Sequence, residues 1–192
     1  MVTGTNLAHT FVAYVEDKPG VLNRVASLFR RRGFNIESLA VGHTDQEGVS
    51  RMTIVVETDE FGARRLEANL YKLVNVLRVE DVSNEPTVVR DLALIKVSAN
   101  GATRADVMQL CEVFRARVVD VGNESLIIEI TGTEDKLYSL AEVLRPFGII
   151  EMVRTGIVAM LRGAASVNPN PPQIAAQVPN EPALDEAVSY SV

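Results

Sequence analysis

The hydrophobic residues of this chain change period in a set order, and the order occurs twice. Residues 9–15 read as a strand. Val21, Leu22, Val25, Ala26, Leu28 and Phe29 then recur at helical spacing, and Gly33 supplies a C-terminal cap. Residues 34–43 read as a second strand and "DQEG" as a turn; in the strand after it Met52, Ile54 and Val56 alternate with Arg51, Thr53 and Val55. A helix from Glu60, with Leu66, Leu70 and Leu73 on one face, leads to a closing strand over 76–83. The order βαββαβ returns in a strand at 88–99, a helix at 104–116, a hairpin across Asn123 and Glu124, a helix at 134–147, and one or two strands within 149–161. The predicted fold class is α+β: two consecutive ferredoxin-like domains, each an antiparallel sheet with two helices on one face.

The domains are expected at 7–83 and 88–163, separated by the turn residues and proline of "SNEPT". Beyond Gly163 the chain holds five of its eight prolines and no lysine or arginine, so 164–192 is expected to be a flexible, disordered tail. A lone ferredoxin-like sheet has an open edge and a bare face. Pairing with a second copy would cover them, and a homodimer is expected.

Function classes narrow quickly. A formal net charge of −6 over 192 residues disfavours a nucleic-acid coat, which needs a basic face. A lone cysteine, Cys111, rules out an internal disulfide framework and suits a reducing, cytoplasmic setting. No apolar run reaches the ~20 residues of a membrane span, and the start, "MVTGTNLAHTF", carries no basic stretch followed by an apolar one, so neither a membrane anchor nor a secretory signal is expected.

Catalytic chemistry finds little to stand on. His9 and His43 are far apart in sequence and read as strand histidines; Cys111, among Val107, Met108, Leu110 and Phe114, reads as a core residue. Glycine-rich nucleotide loops, paired CxxC motifs and metal-ligand spacings are missing. Arg30, Arg31 and Arg32 complement a helix C-terminus. No catalytic residue and no metal ligand are assigned.

The turn Asp17-Lys18-Pro19-Gly20 is different. It leads from a strand straight into a helix, whose first N–H groups lack intrahelical partners and whose dipole end is positive, so the backbone there can take a carboxylate. Gly20 leaves the approach clear, and Asp17 and Asn35, at the ends of the two strands that flank the helix, are both expected to reach a ligand's ammonium group. The alternative is that Asp17 caps the helix and Asn35 fills a turn.

Four stretches carry a family likeness: Asp17-Lys18-Pro19-Gly20-Val21-Leu22, Arg31 through Leu39, Ser50-Arg51-Met52-Thr53, and Lys72 through Leu77. Together with Arg90-Asp91-Leu92-Ala93-Leu94-Ile95-Lys96-Val97 and "EVFRARVVDV", they resemble the regulatory small subunit of acetohydroxyacid (acetolactate) synthase, whose N-terminal part is an ACT domain. The likeness fades after Gly163. It implies a subunit with no activity of its own, acting in branched-chain amino-acid biosynthesis. Its partner would be the catalytic large subunit, which holds thiamine diphosphate and magnesium and is activated by the small subunit and made sensitive to valine. No cofactor is expected in this chain.

The resemblance also implies a valine site between two ACT domains, the strand-to-helix turn of one chain facing the second strand of the other. The backbone of Gly20, Val21 and Leu22 would take the carboxylate and Asp17 and Asn35 the ammonium, while Ile36 and Leu22 would line the side-chain pocket. Asp17 stands where the family often carries asparagine, which adds a negative charge to the site. Three other readings share the fold order: a stand-alone ACT-type amino-acid sensor, an RNA-binding module, and an acylphosphatase-like enzyme. The sheet strands offer few aromatic residues for stacking bases, and the opening turn lacks a phosphate-binding loop with a catalytic arginine.

Overall fold

The computed structural model describes residues 7–163 together with Val167. The first unit runs Leu7–Glu16 (β1), Val21–Arg32 (α1), Ser38–His43 (β2), Val49–Thr58 (β3), Glu60–Leu70 (α2) and Val76–Asp81 (β4). Its sheet is antiparallel with strand order β2-β3-β1-β4, so β2 and β4 are the edges. Strand alternation sorts the faces: Phe11, Ala13, Val15, Met52, Ile54 and Val56 point to the helices, and Val12 and Tyr14 to the other side.

Helix α1 buries Val21, Val25, Leu28 and Phe29, a stripe at i, i+4, i+7 and i+8. Leu22, expected on that stripe, is exposed instead. The helix ends in a Schellman motif. Gly33, at φ 73°, donates its N–H to the Arg30 carbonyl at 3.2 Å, and Phe34 donates to Phe29 at 3.1 Å. The chain then needs residues 34–37 to cross to the sheet, so β2 starts at Ser38 and the predicted strand over 34–43 is shortened. Asn35 and Ile36 lie in that connection.

The second unit repeats the plan with Thr87–Ser98 (β5), Arg104–Phe114 (α3), Arg117–Val121 (β6), Ser125–Gly132 (β7), Glu134–Leu144 (α4) and Ile149–Arg154 (β8), in sheet order β6-β7-β5-β8. Ala93, Ile95 and Val97 of β5 join Ile128, Leu137 and Leu140 in its core, where Cys111 is buried too. The closing stretch resolves into two strands, since Val158–Leu161 (β9) pairs with Thr87–Arg90, the part of β5 that extends past the rest of its sheet.

That extension carries β9 across the helix-free face of the first sheet. Ala159 is buried there with Val12, Val82 and Val167, flanked by Tyr14, Val89 and Leu161. The bare face expected to require a second chain is therefore covered in part by the chain's own β9 segment, while among the described residues no further strand pairs with the β2 edge. Apart from Val167, the expected tail at 164–192 lies outside the described residues.

Candidate effector site

Strand β1 delivers the chain to the opening turn, where Asp17 donates its N–H to the Gly48 carbonyl at 2.8 Å and Val21 donates to Lys18 at 3.3 Å. Gly20 is the N-cap of α1 at φ 84°, a left-handed conformation that costs other residues about 1–2 kcal/mol. Among the described residues no side chain caps the helix. The first-turn N–H groups beyond Val21 thus face outward beside exposed Leu22, and a Cβ on Gly20 would meet nothing within 4 Å. The reading of Asp17 as a helix cap fails: its Oδ2 lies 3.1 Å from Nδ1 of His43, at the end of β2, because β1 and β2 run in the same direction on either side of β3 and finish level with each other.

Polar groups to which the sequence reading gave no role surround this turn. Glu16 accepts from the Asn75 amide at 2.6 Å, and Asn75 Oδ1 in turn accepts from Arg24 of α1 at 2.6 Å. The Asn75 hydrogen bond, then that of Lys18 at 3.2 Å, hold the Glu16 carboxyl below the usual carboxylate range. The turn carries cations and anions within a few residues, which suits a zwitterion.

Asn35 and Ile36 are elsewhere. Helix α1 has 12 residues, so about 18 Å separates its start from the loop after its end. Asn35 donates to Glu37 Oε1, and Ile36 packs against the helix-side core. Within one chain Asp17 and Asn35 therefore cannot reach a common ligand. The six predicted residues form two groups, Asp17, Gly20, Val21 and Leu22 at one end of α1 and Asn35 and Ile36 at the other. The Val21 side chain is core, leaving only its backbone for binding.

The histidine and cysteine readings resolve simply. His9 is buried, with Nδ1 2.7 Å from Asp81 Oδ2, a structural pairing. His43 is exposed. Burial pushes the Cys111 thiol pKa up, which suits a core residue and not a nucleophile. Among the described residues no group of three or more His, Cys, Asp or Glu is gathered to hold a metal, and no helix is long and apolar enough to cross a membrane.

A second polar cluster sits between the units. Asp91 is buried on the inward parity of β5, where Ala93, Ile95 and Val97 follow it, and accepts from Arg154 Nε at 2.7 Å. Arg154 also reaches Glu134 at 2.9 Å. Burial opposes the Arg154 charge, but the hydrogen bonds to Asp91 and Glu134 outweigh it and raise its pKa. A charged residue in an otherwise apolar inward series was a legible signal, left unused. A cavity of about 350 Å³ opens here, lined among others by Glu37, Ser38, Val55, Glu134 and Arg154.

With this geometry established, comparison with known proteins is decisive. Residues 11–78 match the model of the AHAS small subunit-like ACT domain, and residues 90–163 that of the small subunit of acetolactate synthase. The acetolactate synthase small subunit of Mycolicibacterium smegmatis is 50% identical over 159 residues, 83% of this chain and 94% of that one. The chain belongs to the acetolactate synthase small-subunit family. A probable acetolactate synthase small subunit of Archaeoglobus fulgidus is likewise 50% identical over 157 residues, covering 82% and 98% of the two chains. In three dimensions, the crystal structure of the small subunit from Thermotoga maritima superposes with a TM-score of 0.77 at 40% identity, over 83% of this chain and 99% of that one. Membership in this family removes the RNA-binding and acylphosphatase-like readings.

Proposed function

We propose that this chain is a non-catalytic cytoplasmic subunit that activates the thiamine-diphosphate- and magnesium-dependent large subunit of acetolactate synthase and makes it subject to feedback inhibition by valine. The observation that carries the effector half of this reading is the uncapped start of α1 at Gly20, open beside Leu22 and within reach of Asp17. Backbone N–H groups and the dipole take the carboxylate, and Asp17 takes the ammonium.

The separation of the two residue groups along α1 asks for a second chain, and the β2 edge offers one. Its six residues, Ser38–His43, include no lysine, arginine, aspartate, glutamate or proline, the usual devices that keep an edge strand from pairing. Antiparallel pairing of β2 with its own copy about a two-fold axis sets the start of one β2 beside the end of the other. Asn35 and Ile36 of the partner subunit then approach the turn at Asp17–Leu22, which completes the site in a homodimer.

Reconstitution with the catalytic subunit tests the reading. Acetolactate formation from pyruvate should rise when the chain is added and fall on addition of valine, while the chain alone should show no turnover. Activity from a preparation free of the large subunit, or activation with no response to valine, leucine or isoleucine, would remove it.

A further inference from the structure

The segment joining β8 to β9 is fastened at both ends. On its own unit, Arg154 is held by buried Asp91, and Thr155 donates its N–H to the Leu92 carbonyl at 3.0 Å. On the first unit, Ile157 donates its N–H to Ser38 Oγ at 2.8 Å, and Arg51 reaches the Ala159 carbonyl. Between these anchors is Gly156, at φ 84° and so near the start of β2 that a Cβ would stand 2.9 Å from Ser38 Oγ and 3.3 Å from the Leu39 carbonyl oxygen. Both its dihedral and its surroundings call for glycine.

Ser38 follows the Asn35–Glu37 loop directly. Asn35 donates to Glu37, Glu37 and Ser38 both line the cavity between the units, and Ser38 takes the Ile157 N–H. Any ligand contact that moves Asn35 or Ile36 must therefore be accommodated within two residues by a joint with no slack. We infer that the Ser38–Gly156–Ile157 joint is the route by which effector binding at Asn35 and Ile36 is passed to the second unit, with Ser38 a positioning residue for regulation. The inference rests on the effector site proposed above.

Its test uses the full chain with its catalytic subunit, and two quantities are read separately: valine affinity with and without that subunit, and inhibition at saturating valine. Coupling between linked sites commonly spans about 5- to 150-fold in affinity and is reciprocal. Ser38→Ala removes the acceptor and should leave valine binding to the isolated protein within about threefold of wild type while bringing the coupling ratio below about twofold. Gly156→Ala, which keeps the hydroxyl but displaces it, should do the same. A measurement without substitutions guards against variants that fail to fold: valine should change the hydrogen-exchange rate of the Ile157 amide in the wild-type protein. Wild-type coupling in both variants, or an Ile157 exchange rate indifferent to bound valine, overturns the inference. A wild-type protein that binds no valine at all removes the effector-site reading, and this inference with it.

Discussion

Asp17 and His43 meet across the ends of β1 and β2, Oδ2 to Nδ1 3.1 Å, and the carboxylate caps nothing on α1. The pair is exposed, so it contributes little to folding; contacts of this kind are worth about 0–1 kcal/mol. The charge of Asp17 is thus available to a ligand ammonium.

Asp17→Asn should accordingly shift unfolding by less than about 0.5 kcal/mol yet weaken valine binding about three- to tenfold, since a hydrogen bond to an ionised acceptor is roughly twice as strong as a neutral one. Urea denaturation and calorimetric titration with valine check the two halves. A large stability loss with unchanged affinity would make Asp17 structural.

Gly20 invites a paired comparison. At φ 84° both Gly20→Ala and Gly20→Asp pay about 1–2 kcal/mol of backbone strain, but only aspartate adds charge. A like charge about 4 Å from the ligand carboxylate opposes binding by up to ~4 kcal/mol at an effective dielectric of 20, and half of that is more than tenfold in affinity. Gly20→Asp should abolish valine inhibition in the reconstituted enzyme, whereas Gly20→Ala, whose Cβ enters open space, should largely retain it. Equal behaviour of the two would assign the effect to strain and not to charge.

Asp91 bears on the second unit. Removing one partner of a buried ion pair costs about 3–5 kcal/mol, and Asp91→Ala should fall at the lower end, ~3 kcal/mol, because Arg154 keeps Glu134 and reaches water. Urea unfolding measures it. A cost below about 1 kcal/mol would show the pair to be no stronger than a surface contact.

Glu16 supplies a pH dependence. Its folded pKa is lowered, chiefly by the Asn75 amide, so the stability it adds is present above its unfolded value near 4.5 and is lost as pH falls through the lower folded value. Asn75→Ala should flatten the fall of stability below pH about 4.5 and move the Glu16 carboxyl titration back up, as read by side-chain NMR. An unchanged titration would mean that Lys18 alone holds the carboxylate.

Much of this was legible in the chain itself. The alternation of Met52, Ile54 and Val56, the helical spacing of Val21, Val25, Leu28 and Phe29, and the stop at Gly33 are local patterns, and burying an apolar stripe leaves each segment one way to fold. The opening turn was legible only in part: a glycine at position 20 offers no side-chain acceptor, but whether Asp17 capped the helix was decided by its contact with His43.

Other features depend on contacts that no local pattern encodes. The stretch 34–37 has strand-like alternation, yet the crossing from α1 to the sheet uses it up, and the helix length then places Asn35 far from Gly20. Leu22 fits the apolar face by spacing but is exposed, one position off the buried stripe of Val21, Val25, Leu28 and Phe29. The seating of β9 over Val12, with Gly156 against Ser38, joins residues more than a hundred positions apart. Its free energy comes from two surfaces that become complementary only after each unit has folded, so the sequence determined both units and the tertiary structure decided how one holds the other.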